Sequence, residues 1–171
     1  MIDIEAPPLK GYRLPRSIIA YAVWAYHRFA LSLRDVEDLL AGRGVQVSYE
    51  TIRAWVARFG PQFAACIRRD RPAAADKWHV DEVVISIRGR KHCAHKGLNN
   101  RAEASHRHAR RREKIMGRFK SPRQAQRFLS VHDKTATLFR PKRHRLTAAS
   151  YRHARADAFS LWADFAAEIT A

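Results

Sequence analysis

The sequence has few cysteines, few helix-breaking residues and no long apolar run. Its 171 residues include only two cysteines, Cys66 and Cys93, too few for a disulfide-built fold and typical of a reducing compartment. Glycine and proline number seven each, which excludes a collagen-like or linker-dominated chain. No stretch approaches the roughly 20 apolar residues of a membrane span, and the N-terminus lacks a secretion-signal pattern. We therefore expect a cytoplasmic protein with no membrane partner.

Acidic residues are scarce relative to basic ones. The chain carries 33 Lys+Arg against 16 Asp+Glu, a formal net charge of +17 at pH 7. Its apolar content of 46% is enough to bury a core, which excludes general disorder. A compact polycation is typical of proteins that bind nucleic acid, so we expect double-stranded DNA as the partner.

The first part of the chain has the pattern of a small helical domain. After an extended lead-in over residues 1–15, apolar residues recur at helical spacing in three successive segments. Ser32 and Ser48 are placed to cap the second and third helices. The Gly-Pro pair at 60–61 predicts a break after the third helix, followed by a short helix. Together these features predict a helix-turn-helix domain over residues 16–69.

The third helix of this domain is the predicted reader of DNA. Its outward residues are Tyr49, Glu50, Arg53, Ala57 and Arg58. We expect its N-terminal positions to approach base edges, where Arg53 would set sequence preference, and Arg58 to contact a phosphate. The alternative is an ordinary helical bundle with a charged outer face.

The second half of the chain begins with a strand pattern and continues as helices. Residues 78–87 are rich in β-branched side chains, and the Arg-Gly-Arg at 88–90 can turn them into a short second strand. A very basic helix is expected from about Asn100, with DNA contacts from Arg107, Arg110, Arg111 and Lys114. Two more helices follow. Their predicted apolar faces are Ala125, Phe128, Leu129 and His132 on the first, and Tyr151, Ala154, Ala158, Leu161, Trp162, Phe165 and Ile169 on the second.

Several motifs resemble the DDE transposases of bacterial insertion sequences. They are WHVDEVVISIRGR, LNNRAEASHRHARRRE, MGRFKSPRQAQRFLS, LFRPKRH and YRHARADAF. The most similar group has a helix-turn-helix ahead of a retroviral-integrase-like core and forms cointegrates. The resemblance implies an RNase H-like core that binds two Mg²⁺ ions through three carboxylates. By motif position, Asp81 matches the first aspartate and Glu103 the final glutamate, and Arg110 matches a basic residue that holds DNA near the site.

The chain departs from this family between the two matched acids. The family's second aspartate is missing, because Glu82 is the only acid between Asp81 and Glu103. The interval is also too short for the remaining strands of a five-stranded sheet, at about five residues a strand. We expect an internal deletion with its junction near residues 92–97, which leaves a truncated catalytic domain over 77–171.

The predicted fold class is mainly α: a helix-turn-helix bundle, then a truncated RNase H-like (α/β) remnant with a short strand or hairpin and C-terminal helices. The predicted function is that of an insertion-sequence transposase that binds terminal inverted repeats and target DNA but is defective in strand transfer.

Two alternatives stay open: a sequence-specific DNA-binding fragment that competes with intact transposase, and a decayed product with a partly exposed core. A second copy of the chain or an intact transposase are the protein partners considered. Zinc is disfavoured because Cys66, His92, Cys93 and His95 lack paired C-x-x-C spacing.

Overall fold

A computed structural model describes most of the chain. The described residues are 9–29, 31–70, 83–87, 90–94, 111, 113–115, 119–139 and 146–169, with the backbone alone for the two segments between 83 and 94. The fold is mainly α, as the sequence predicts. The helices are α1 Arg16–Arg28, α2 Leu33–Ala41, α3 Tyr49–Asp70, α4 Pro122–Phe139 and α5 Ala148–Glu168. None of the helices in these ranges combines the length and apolar character needed to cross a membrane.

Both ends of α2 are fixed by local hydrogen bonds that the sequence predicts. The Asp35 amide donates to Ser32 Oγ at 3.1 Å, and the Ser32 amide donates to Asp35 Oδ2 at 2.6 Å, which completes a capping box. At the other end Gly44 has a φ of +77°, and the Val45 amide bonds the Leu40 carbonyl at 3.0 Å. This is a Schellman ending, in which the left-handed backbone favours glycine. The connection over residues 42–48 therefore has a defined geometry.

Helix α3 is longer than the sequence predicts. The predicted break at 60–61 is wrong, since α3 continues through Pro61 to Asp70. Pro61 removes the amide that would bond the Ala57 carbonyl, but both residues are exposed, so water can satisfy that carbonyl. Gly60 is buried, and a Cβ atom there would lie 3.4 Å from His27 Nε2 and 3.5 Å from Val131 Cγ2. Packing from α1 and α4 therefore holds the helix together where its local sequence is weakest.

Helix α1 lies at the centre of the molecule. It is buried on nearly all sides, through Ile18, Ile19, Ala20, Ala22, Val23, Ala25, Tyr26 and His27, because α2, α3, α4 and α5 all contact it. The α5 residue Trp162 donates from Nε1 to the Ala20 carbonyl at 3.1 Å. The α4 residue His132 bonds the His27 carbonyl through Nδ1 at 2.8 Å. Helices from both predicted domains thus share one core, while the division at residues 16–69 and 77–171 stays a prediction.

The C-terminal helices begin where the sequence predicts. The Gln124 amide donates to Ser121 Oγ at 3.2 Å before α4, and the Ser150 amide donates to Thr147 Oγ1 at 3.1 Å before α5. The predicted faces are largely buried. Leu161 is an exception, with 40% of its surface exposed, because the buried side of α5 runs through Ala158, Trp162, Phe165 and Ala166.

The predicted strand forms a hairpin. Strand β1, Val83–Ile87, pairs antiparallel with β2, Arg90–Ala94, in a register that sets Val83 opposite Ala94 and Ile87 opposite Arg90. The antiparallel pairing agrees with the predicted second strand, and residues 88–89, where the turn is predicted, lie outside the described part of the chain. The RNase H-like interpretation and the deletion junction stay predictions, because most of residues 71–110 lie outside the described part of the chain.

Candidate nucleic-acid interface

The exposed side of α3 near its N-terminus carries the predicted DNA-contacting residues. Glu50, Arg53 and Arg58 are all exposed, as the helical spacing predicts. The opposite side buries Ile52, Trp55 and Phe59 against the core. The core therefore holds α3 from behind and leaves this side open to solvent.

Tyr49 differs from the other predicted contact residues because it is half-buried. Two guanidinium groups each lie over its ring. The Cζ atom of Arg53 is 5.3 Å from the ring centroid, and that of Arg34 is 5.1 Å from it. Arg34 comes from α2, so the contact joins the two helices on either side of the 42–48 connection. Distances of this size are typical of cation–π interactions.

The sequence did not single out Arg34. Its signal is weak: an arginine in the first turn of a helix, where the helix dipole disfavours a positive charge. Only the packing of α2 against α3 brings it to the ring of Tyr49. Arg34, Tyr49 and Arg53 are called the arginine–tyrosine cluster below.

The two arginines of the cluster make no ion pair with any carboxylate of the described residues. Asp38 lies four positions after Arg34, and Glu50 lies three positions before Arg53, both at spacings that allow a helical ion pair. Asp35 is engaged by the Ser32 amide in the capping box. The guanidinium groups lie over the ring instead, without an ion pair to a carboxylate in the described part of the chain.

Arg69, near the other end of α3, differs from the arginines of the cluster because it pairs with carboxylates. It is 56% exposed, yet its guanidinium contacts Asp70 at 2.6 Å and Glu168 at 2.7 Å. These hydrogen bonds lower the pKa of both carboxyl groups and raise the pKa of Arg69. Burial, followed by the charge of Glu168, raises the pKa of the neighbouring Cys66 thiol. This cluster fastens α3 to α5, and its one positive and two negative charges leave it no positive charge to offer a polyanion.

The remaining predicted basic contacts are only partly described. Arg111 and Lys114 are exposed, whereas Arg107 and Arg110 lie outside the described residues. Lys120, at the end of the predicted basic segment, is exposed, and so are two basic residues of α4 that were not predicted as contacts, Arg123 and Arg127. Arg123 and Arg127 are four positions apart and so share one side of α4. Their spacing is visible in the sequence and could have identified them.

The predicted metal ligands Asp81 and Glu103 also lie outside the described residues. Among the side chains that are described, no group of three His, Cys, Asp or Glu residues is placed to hold a metal ion.

Sequence comparison identifies relatives among curated transposases. The chain is 37% identical over 75 residues to the transposase for insertion sequence element IS257 in transposon Tn4003 of Staphylococcus aureus. It is 35% identical over 75 residues to the transposase for insertion sequence-like element IS431mec of Staphylococcus aureus strain Mu50. Each match covers 44% of this chain and 34% of the relative, so the chain spans about a third of their length.

No family model and no solved structure matches the chain. The two matches to transposases nevertheless have the same length and similar identity, and they agree with the motifs found in the sequence. The chain is therefore similar over nearly half of its length to the transposases of bacterial insertion sequences.

Proposed function

We propose that this chain binds duplex DNA through α2 and α3, used as a helix-turn-helix. The observation that carries the proposal is the solvent-facing N-terminal part of α3, where Arg53 and Arg58 are exposed on a helix whose other side is anchored in the core. In this motif the second helix enters the major groove with its N-terminal residues first, and the first helix crosses the phosphate backbone. Helix α3 is the reader and α2 the supporting helix.

The DNA that we propose as the ligand is the terminal inverted repeat of an insertion sequence, with target DNA as a second substrate. The support is the transposase motifs together with the names of the similar proteins. The high positive charge of the chain suits this substrate, because basic side chains release counterions from DNA when they bind phosphates.

We also propose that the chain alone does not perform strand transfer. Two metal ions in such a reaction hold the attacking and leaving oxygens, and Mg²⁺ prefers several carboxylate ligands. Asp81 and Glu103 are the proposed ligands, and no second aspartate lies between them. The chain would then act as a DNA-binding fragment that competes with intact transposase for the element ends.

DNA binding is tested by selecting bound duplexes from a random library, followed by titration of the selected duplex by fluorescence anisotropy at several salt concentrations. The full-length chain should enrich a defined sequence and bind it with strong salt dependence. Arg58→Ala should weaken binding and reduce the salt slope by about 0.9. Arg68→Ala is the matched control, an exposed arginine near the other end of α3. Equal affinity for all duplexes would reject sequence-specific binding.

Catalysis is tested with labelled duplexes that carry the element ends, in the presence of Mg²⁺. We expect no joined product from the chain alone. Joining that disappears in Asp81→Ala would contradict the proposed defect. Adding this chain to an active transposase should reduce joining, and this inhibition should be lost in Arg58→Ala if it depends on DNA binding.

A further inference from the structure

We propose that the arginine–tyrosine cluster is a phosphate-binding unit, in which Tyr49 positions Arg34 and Arg53 to contact the backbone of duplex DNA together. The inference rests on the proposed function and adds two points to it. It assigns Arg34 of α2 to the interface, and it assigns Arg53 to the sugar-phosphate backbone instead of the bases.

The geometry of the ring contact is the first argument. Both guanidinium groups lie just over 5 Å from the Tyr49 centroid. The two positive charges are therefore at most about 10 Å apart, about one Debye length at 0.1 M salt, so both can attract one anionic backbone at this surface. An arrangement that keeps like charges together at a surface favours binding of an anion between or across them.

The absence of carboxylate partners among the described residues is the second argument. Asp38 and Glu50 are at suitable helical spacings, yet neither forms an ion pair with Arg34 or Arg53. Arg69 on the same helix has two carboxylate partners, which take four of its five N–H donors and offset its charge. The aromatic ring holds the cluster's guanidinium groups without neutralising them, so their hydrogen-bond donors stay available for phosphate oxygens.

The ring contact also lowers the entropy cost of ordering the two long arginine side chains. An exposed arginine loses rotamer freedom when it binds a phosphate, which weakens the interaction. Contact with the half-buried Tyr49 ring restricts both arginines before DNA arrives. Because Tyr49 contacts Arg34 of α2 and Arg53 of its own helix, it also fixes the spacing between the two guanidinium groups. Tyr49 is thus a positioning residue, whereas Arg34 and Arg53 touch the DNA.

Backbone contact and base contact by Arg53 differ in what they change. Loss of a phosphate contact lowers affinity for all duplexes alike and reduces the salt slope by about 0.9. Loss of a base contact lowers affinity mainly for the preferred sequence. Comparing a selected duplex with an unrelated duplex of equal length therefore separates the two roles.

The experiment measures binding of both duplexes by the full-length chain and its variants over a range of salt. Arg34→Ala and Arg53→Ala should each reduce the salt slope by about 0.9 on both duplexes, and leave the preference between them unchanged. Tyr49→Leu, which keeps apolar bulk but removes the aromatic face, should weaken binding about three- to tenfold. Tyr49→Phe keeps the aromatic face, so its DNA affinity should match that of the wild-type chain. Arg68→Ala is the control, since it lies about 22 Å along α3 from Arg53.

Thermal melts of each variant separate lost binding from lost folding, and the Phe variant separates the ring face from the hydroxyl. Unchanged affinity and slope in Arg34→Ala, with Arg58→Ala still weakened, would overturn the inference and leave the proposed function intact. Loss of preference in Arg53→Ala without a change of slope would also overturn it. If the wild-type chain bound neither duplex, the proposed function itself would fail.

Discussion

Trp162 stacks on Phe63 with ring centroids 4.1 Å apart and an angle of only 7° between the ring planes. Phe63 belongs to α3 and Trp162 to α5, and both are buried. The same indole donates its N–H to the Ala20 carbonyl of α1. A single side chain from the C-terminal helix therefore contacts two of the helices assigned to the DNA-binding unit.

We expect Trp162→Ala to reduce the free energy of unfolding of the whole chain by about 3–5 kcal/mol, since it removes a large buried aromatic side chain. Trp162→Phe keeps the ring stack and loses the hydrogen bond to Ala20, so about 1 kcal/mol is expected for that bond. Urea unfolding followed by circular dichroism measures both. A smaller loss for alanine than for phenylalanine would contradict the role of the stack.

Removal of α4 and α5 should unfold the N-terminal helices. A chain that ends at Asp70 would expose Tyr26 and His27, which pack on Phe128, and Phe63, which packs on Trp162. We expect this fragment to lack the cooperative thermal transition of the full-length chain, in the same buffer and at the same concentration. A cooperative melt of the fragment would mean that the predicted domain over 16–69 is independent.

The local features of this fold are predictable from sequence, and the shared core is not. Ser32, Ser48 and Thr147 cap their helices because a short polar side chain before an apolar repeat can satisfy free amides in any context. Gly60 and Pro61 suggest a break by the same local reasoning. That prediction failed because α1 and α4 pack on this part of α3, which is tertiary information.

The candidate site also combines features that the sequence predicts with features that depend on helix packing. Helical spacing predicts the exposure of Glu50, Arg53 and Arg58, because these residues lie opposite a strongly apolar stripe. The half-burial of Tyr49 and its contact with Arg34 depend on how α2 crosses α3. These two residues are 15 positions apart and no periodic signal pairs them, so no pattern in the sequence predicts the contact.

Gly60 provides a test of close packing between three helices. Gly60→Ala should change stability by less than about 1 kcal/mol, because the new Cβ would lie at 3.4 Å from His27 Nε2, close to ordinary contact, and alanine favours the helix. Gly60→Leu should cost about 1–3 kcal/mol, since the larger side chain has no space between His27 and Val131. Equal stability of the two variants in urea would show that this contact is not tight.

The contact of Arg69 with Glu168 should make stability depend on pH at the acidic end. The pKa of Glu168 in the folded chain lies below its ordinary value of 4.5, mainly because Arg69 donates hydrogen bonds to the carboxylate. A lowered folded pKa stabilises the fold above the unfolded value, and that stabilisation is lost as pH falls through the folded pKa. Wild type should therefore be more stable than Glu168→Gln above pH 4.5, with the difference shrinking below it.

Thermal melts from pH 3 to pH 7 measure this difference in stability. The control is Asp157→Asn, which changes an exposed acid on the same helix with no ion pair among the described residues. A difference between wild type and Glu168→Gln that persisted unchanged at pH 3 would mean that Glu168 acts through packing and not through its charge.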